Sequence, residues 1–332
     1  MMPDVATGVP PTTGARMAQL LNEIETADRA GVDVFGIGEH HREDFADASP
    51  AVILAAAAGR TDRIRLTSAV SVLSASDPVR LFQDFATLDL VSAGRAEIIV
   101  GRGSFTEAHA LFGIPLENYD DVFAEKLELL LALREDVRPH WRGRFRAPLS
   151  GQGVFPRPMQ DRLPIWLGVG GTRQSFVRAG TLGLPLMVAI IGGSHARFRQ
   201  LVDLYREAGK RAGHEPGRLK VGLHTFGFVG ETDEEALESL WPGWAFMSAQ
   251  MARERGGPPA TRQRFLHEAG PSGGLIVGGP ETVIARAHAA SEALGGLDRI
   301  TFQMSMAAND PKAQLNAIDL LGRRVAPHLR GE

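Results

Sequence analysis

The stretch Val34-Phe35-Gly36-Ile37-Gly38-Glu39-His40-His41-Arg42 sets a pattern that recurs along the chain: a short apolar run, then a glycine-flanked polar cluster. The pattern returns at residues 64–70, at 96–100 ahead of Gly101-Arg102-Gly103-Ser104, and at 165–168 ahead of Val169-Gly170-Gly171-Thr172-Arg173-Gln174-Ser175. Further apolar runs cover 186–191, 221–229 and 299–303. Most lack the polar alternation of a half-exposed strand, so they read as parallel strands buried on both faces. The segments between them have helical spacing. Residues 15–30 place Met17, Leu20, Leu21 and Ile24 on one face, with Gly31 as a stop. Asp77-Pro78 caps a helix ahead of Leu81, Phe85 and Leu88. Residues 231–235 load a first helical turn with acids, and Pro280-Glu281-Thr282 opens another helix. Repeated strand–helix units point to an α/β fold with a parallel sheet.

Seven runs are one short of the eight strands in a closed (β/α)8 barrel. Residues 1–14 hold three Pro, two Gly and no apolar run. Either the fold is not that barrel, or its first strand is missing from this chain. The whole chain, 1–332, reads as one domain with two interruptions. Residues 138–162 are rich in Pro, Gly and Arg and read as a long surface loop, either a functional loop or a variable decoration. Residues 241–274 contain Trp241-Pro242-Gly243, Gly256-Gly257-Pro258-Pro259 and Pro271-Ser272-Gly273-Gly274, and read as a partly helical insertion of the kind that forms lids.

The composition excludes several classes of function. With 36 Lys and Arg against 39 Asp and Glu, the net charge is -3, which argues against a nucleic-acid surface. There is no cysteine, hence no disulfide, thiol nucleophile, Cys-bound zinc or iron–sulfur cluster. The longest strongly apolar stretch, 51–58, is far below the ~18 residues of a membrane span. No signal-peptide pattern opens the chain, so a cytoplasmic location is expected.

Three clusters at strand ends are candidates for chemistry, because sites in parallel α/β folds gather there. In Glu39-His40-His41 an imidazole can move a proton near neutral pH; a structural hydrogen-bond cluster is the other reading. Adjacent His40 and His41 point to opposite faces of an extended chain and chelate poorly, and no HExxH occurs, so no metal is expected. Arg102, between glycines, can approach an anion or can sit in a plain turn. The turn 168–175 exposes N–H groups at a helix start and adds the hydroxyls of Thr172 and Ser175, which suits a phosphate. It matches neither GxGxxG nor the Walker pattern.

In these segments the chain resembles the bacterial luciferase-like, flavin-dependent monooxygenase superfamily. The matches are Glu39-His40-His41, Arg60-Thr61, Ala69-Val70 to Leu73, Asp77-Pro78-Val79-Arg80, Leu88-Asp89, Ser92-Ala93-Gly94-Arg95, Gly101-Arg102-Gly103, Pro164-Ile165-Trp166 with the turn after it, Gly278-Gly279-Pro280-Glu281-Thr282 and the strand ending in Gln303. The resemblance covers residues 32 to the C-terminus. It implies a (β/α)8 TIM barrel that binds FMN, or in one branch a deazaflavin, at its strand ends. It also implies catalysis by His40 with Glu39 orienting it or shaping the strand end. Cofactor contacts would come from Ala69, Val70, Arg102, Gly103, Val169, Gly170, Gly171, Thr172 and Ser175, with Ala69-Val70 at the family's non-prolyl cis peptide. The reaction implied is oxidation of a small organic substrate by reduced FMN and O2 through a flavin hydroperoxide. A partner flavin reductase and a homodimer through residues 49–58 and 78–88 are also implied.

Two departures stand out. Gly101 occupies the place of the luciferase α chain's reactive Cys, so light emission is not implied. The family's usual first strand is absent, which implies a mis-assigned start, a truncated chain, or a gap filled by residues 1–14 or a partner. A non-catalytic flavin-binding or accessory subunit, and a deazaflavin-dependent oxidoreductase, are the alternative readings.

Overall fold

The computed structural model describes residues 9–103, 105–305 and 310–331. Helix α1 (Thr13–Ala30) starts where the Thr12 hydroxyl accepts from the Ala15 N–H. It ends at Gly31, whose φ of 89° satisfies the helix's last carbonyls without a Cβ penalty. No strand precedes α1 among the described residues, and residues 1–8 lie outside them.

The chain divides into two compact units, Asp33–Gly168 and Met1–Val32 with Val169–Glu332. The first contains β1 (Val34–Ile37), α2 (Pro50–Ala58), β2 (Arg65–Ser68), β3 (Ser71–Val72), α3 (Pro78–Val91), β4 (Ala96–Gly101), α4 (Glu107–Leu111) and α5 (Tyr119–Glu135). It continues with β5 (His140–Trp141), β6 (Leu149–Ser150) and β7 (Ile165–Val169), whose last residue belongs to the other unit. Strand β1 pairs with β2, β2 and β3 with β4, and β4 with β7, all parallel. The register sets Ile37 beside Ser68, Val72 beside Gly101 and Val100 beside Leu167.

Helix α3 packs Phe82, Phe85 and Leu88, all essentially buried, and its start is capped by Asp77, which accepts from the N–H groups of Val79 and Arg80. Arg95 ties the α2 and α3 ends together. Its guanidinium donates to the carbonyls of Ala58, Thr61, Ile64 and Ser92 and to the Thr61 hydroxyl. The Arg60-Thr61 and Ser92-to-Arg95 segments thus hold each other, and buried carbonyls find charged donors.

The loop expected at 138–162 contains an antiparallel two-residue pairing, β5 with β6. Strands that short carry no hydrophobic period. The same segment holds the cis Phe155–Pro156 bond and Arg157, which donates to the carbonyls of Leu133 and Arg134 at the end of α5.

The second unit adds to α1 the elements α6 (Arg173–Thr181), β8 (Leu186–Ala189), α7 (Arg199–Arg211), β9 (Val221–Val229), α8 (Asp233–Arg255), α9 (Arg262–Ala269) and β10 (Ile276–Gly278). They are followed by α10 (Pro280–Leu294), β11 (Arg299–Gln303), α11 (Pro311–Leu320) and, after a π-helical turn, α12 (Ala326–Arg330). Strand β9 pairs with β8 on one edge. On the other it pairs with β11 along 222–226 and with β10 along 227–229, all parallel.

Helix α8 runs through Pro242, where a break is expected. Proline removes one helical hydrogen bond, and the packed rings of Trp241, Trp244 and Phe265, 5.3 to 5.9 Å between centroids, hold the segment together. The start of α8 is pinned. Thr232 caps it, and the Asp233 carboxylate accepts from the Gly279 N–H and the Thr282 hydroxyl. No described helix is long and apolar enough to cross a membrane.

Candidate active site

In the unit Asp33–Gly168 the chain leaves β2 through a cis Ala69–Val70 bond. The Ala69 N–H donates to the Ile37 carbonyl at 2.6 Å. Three glycines make room for this segment. A Cβ at Gly36 would stand 2.8 Å from the Ala69 Cβ; at Gly101, 2.6 Å from Val70 Cγ2; at Gly168, 2.8 Å from Val70 Cγ1. No side chain fits at these positions on β1, β4 and β7 while Ala69 and Val70 hold theirs. Gly103 faces Val72 in the same way, at 3.2 Å.

The buried Glu39 carboxylate completes the cradle. One oxygen accepts from the Val72 N–H at 2.9 Å and the other bonds His41 Nε2 at 2.9 Å. Glu39 therefore fixes the strand end and the segment after Val70.

The partner of His40 is Asp47, whose Oδ2 lies 3.0 Å from Nδ1. The imidazole stacks on Phe45 at 4.1 Å and meets the edge of Phe105 at 5.8 Å. Gly38 leaves the space into which the ring folds, since a Cβ there would lie 2.7 Å from His40 Cε1. A carboxylate at Nδ1 keeps the proton on that nitrogen and leaves Nε2 of the neutral ring as an acceptor. The side chain is 25% exposed, so the group is shielded yet reachable.

Arg102 turns toward α5. It forms an ion pair with Asp120, and its guanidinium lies 5.0 Å from the Tyr119 ring centre. Behind Tyr119 sits His109, 5.0 Å away between ring centres, buried, with neither ring nitrogen hydrogen-bonded among the described residues. Burial, helped by the charge of Lys126, holds its pKa below the usual histidine value. Lys126 is itself lowered by burial and donates to the Ser74 carbonyl. Asp47, Phe45, Phe105, His109 and Lys126 carry no motif; only their placement in space identifies them.

The remaining site residues belong to the other unit. Val169 ends β7, and Gly170 and Gly171 are exposed. A Cβ at Gly170 would meet nothing within 4 Å, and one at Gly171 only a Phe198 ring carbon at 4.0 Å. Thr172 is the N-cap of α6 without a side-chain capping bond, and the first turn carries Arg173 and no acid. Ser175 is buried, and its N–H donates to the Thr172 carbonyl. The arrangement presents exposed, side-chain-free backbone at the positive end of a helix. Among the described residues no three His, Asp or Glu side chains are grouped to hold a metal ion.

The family profile for luciferase-like monooxygenases matches residues 3–297. This chain belongs to the luciferase-like monooxygenase family. Within that family it is 26% identical to the 4-hydroxyprotoasukamycin monooxygenase of Streptomyces nodosus subsp. asukaensis, over 92% of this chain and 85% of the relative. It is 30% identical to the Sinorhizobium fredii protein y4wF over 68% of this chain, a match that spans 66% of that protein.

Among solved structures, the monooxygenase RslO1 from Streptomyces bottropensis superposes with a TM-score of 0.82 at 23% identity, covering 96% of this chain and 95% of the other. The FMN complex of the oxygenating constituent of 3,6-diketocamphane monooxygenase from Pseudomonas putida gives 0.75 at 22%, covering 94% and 93%. These likenesses assign the luciferase-like (β/α)8 barrel fold. The chain is an enzyme of the luciferase-like monooxygenase class.

Proposed function

We propose that this protein is a flavin-dependent monooxygenase that uses reduced FMN, supplied by a separate reductase, and O2 to oxidise a small organic molecule. The observation that carries the reading is the turn into α6. Its exposed, side-chain-free glycines at a helix start, with Arg173 and no acid in the first turn, fit a phosphate. Val169, Gly170, Gly171, Thr172 and Ser175 would hold that end of the cofactor; for the other unit, the resemblance implies contacts by Ala69, Val70, Arg102 and Gly103. Relatives named as monooxygenases, one of them with FMN bound, support the same reading.

A bound reduced flavin supplies the electrons that activate O2. The protein's own residues do the rest. His40, oriented by Asp47, accepts or returns a proton at Nε2. Phe45 and Phe105 pack against the imidazole and hold its plane. Glu39 keeps the segment after Val70 in place through the Val72 N–H. Residues 241–274 serve as the lid. The protein works in the cytoplasm as a homodimer through α2 and α3, which carry the exposed Val52, Leu90 and Val91.

The test is an anaerobic titration with reduced FMN, and in parallel with reduced deazaflavin, followed by O2 and a substrate screen. Tight FMN binding with substrate-dependent consumption of reduced flavin is expected. His40→Ala should keep binding and lose about 10²–10⁴-fold in turnover. Binding without substrate-dependent consumption would make the chain an accessory subunit. Binding of deazaflavin alone would replace FMN.

A further inference from the structure

The unit that contains α8 and α9 holds a partly open cavity of about 260 Å³. One wall is a single face of α8: Trp244, Met247, Ser248, Met251 and Ala252, spaced i, i+3, i+4, i+7, i+8. That spacing marks a face built to be covered. Here Trp244 is covered, by the Phe265 ring at 5.3 Å, while the two methionines look onto open space. Ile191, just past β8, Phe226 of β9 and Leu275 form the opposite side.

Two charged side chains of α9 also line the cavity, and both have structural duties. Arg264 lies 5.1 Å over the Trp244 ring and donates to the Pro258 carbonyl at 3.1 Å. Glu268, one turn on, accepts from the Gly193 N–H at 2.9 Å. Their opposite charges leave the lining without net charge. The lining residues that carry side-chain donors are Ser248 (hydroxyl), Arg264 (guanidinium) and Trp244 (indole N–H).

We infer that this cavity receives the organic substrate, and that the substrate is a neutral, largely apolar molecule with one hydrogen-bond acceptor. The assignment rests on the monooxygenase reading above. The volume equals that of about nine waters, which fits a body of one or two small rings. Unbranched methionines adapt to differing apolar shapes. An anion would meet Arg264 only at the expense of lying beside Glu268, one helical turn away.

The test is calorimetric titration of the full-length protein with 2-indanone, indane-2-carboxylate and the bulkier ketone camphor. Saturable binding of 2-indanone, tighter than that of the carboxylate, is expected. Met247→Trp should weaken it roughly tenfold or more by filling the cavity. Met251→Ala, which enlarges the cavity and does not crowd the fold, should shift preference toward camphor.

Absence of saturable 2-indanone binding, tighter binding of the carboxylate, or indifference of both variants would overturn the assignment. Reduced-FMN binding, measured separately on the same samples, reads the catalytic proposal alone. Its failure with 2-indanone binding intact would sink the monooxygenase reading and still support the ligand class of the cavity.

Discussion

Two regions of this molecule use glycine for opposite reasons. Around Ala69–Val70, Gly36, Gly101 and Gly168 are present because a side chain has nowhere to go: the nearest atoms stand 2.6 to 2.8 Å from where a Cβ would be. In the turn into α6, Gly170 has nothing within 4 Å of that point. The first set packs the protein against itself; the second leaves an exposed turn of backbone. In one family motif a glycine makes room for packing, and in the next it leaves the backbone uncovered.

The contrast can be broken most forcefully at the crowded end. Gly101→Ala and Gly168→Ala should each cost ~1–3 kcal/mol in urea unfolding, the usual range for overpacking. Val70→Ala should recover most of the Gly101→Ala loss, because the clash is with the Val70 side chain. Failure of that rescue would mean that Gly101 is needed for another reason.

Acid should produce the next largest effect. Burial is the main cause that lowers the pKa of His109 in one unit and of His195 and His224 in the other. Below the unfolded value of ~6.5 the unfolded chain takes up protons that these folded sites refuse, so stability falls as pH drops from there toward each lowered folded pKa. Above ~6.5 the effect vanishes. Each site contributes at most ~1.4 kcal/mol per pH unit. His109→Leu should reduce the slope of stability between pH 6.5 and 5 by up to one proton, and an unchanged slope would remove His109 from this account.

The smallest effect belongs to the open turn. Gly170→Ala should leave stability within ~0.5 kcal/mol. Gly170→Asp should be equally silent in unfolding yet weaken binding of the proposed FMN by ~0.3–1 kcal/mol, by setting an anion at the helix start. A stability loss at Gly170 as large as that at Gly101 would erase the distinction between the two regions.

Strands such as β4, β7 and β9 were legible because strands buried on both faces read as nearly unbroken apolar runs. The cap at Asp77, the acid-loaded start of α8 and the stop at Gly31 were legible because their chemistry is local. The short strands β3 (Ser71–Val72) and β10 (Ile276–Gly278) were not, since two or three residues carry no period. The continuation of α8 through Pro242 was hidden because proline argues locally for a break, and the rings that oppose it include Phe265, 24 residues from Trp241. At the site, the strand-end clusters were visible as motifs. The partner of His40 was not: Asp47 lies seven residues on, across an irregular turn. His109 and Lys126 gain their meaning only from burial, which no spacing records.

The pinned start of α8 has a consequence for how its amides exchange with solvent. Thr232 caps the first turn and Asp233 fixes it to the start of α10, whereas the last turns run beside a cavity and end at Gly256 and Gly257. Opening one end does not require opening the other. Deuterium should enter α8 as a gradient, slowly near Ala236 and Leu240, which are buried, and quickly past Met251. The helix behaves as a cantilever, and its free end is the side from which a guest molecule can part the wall.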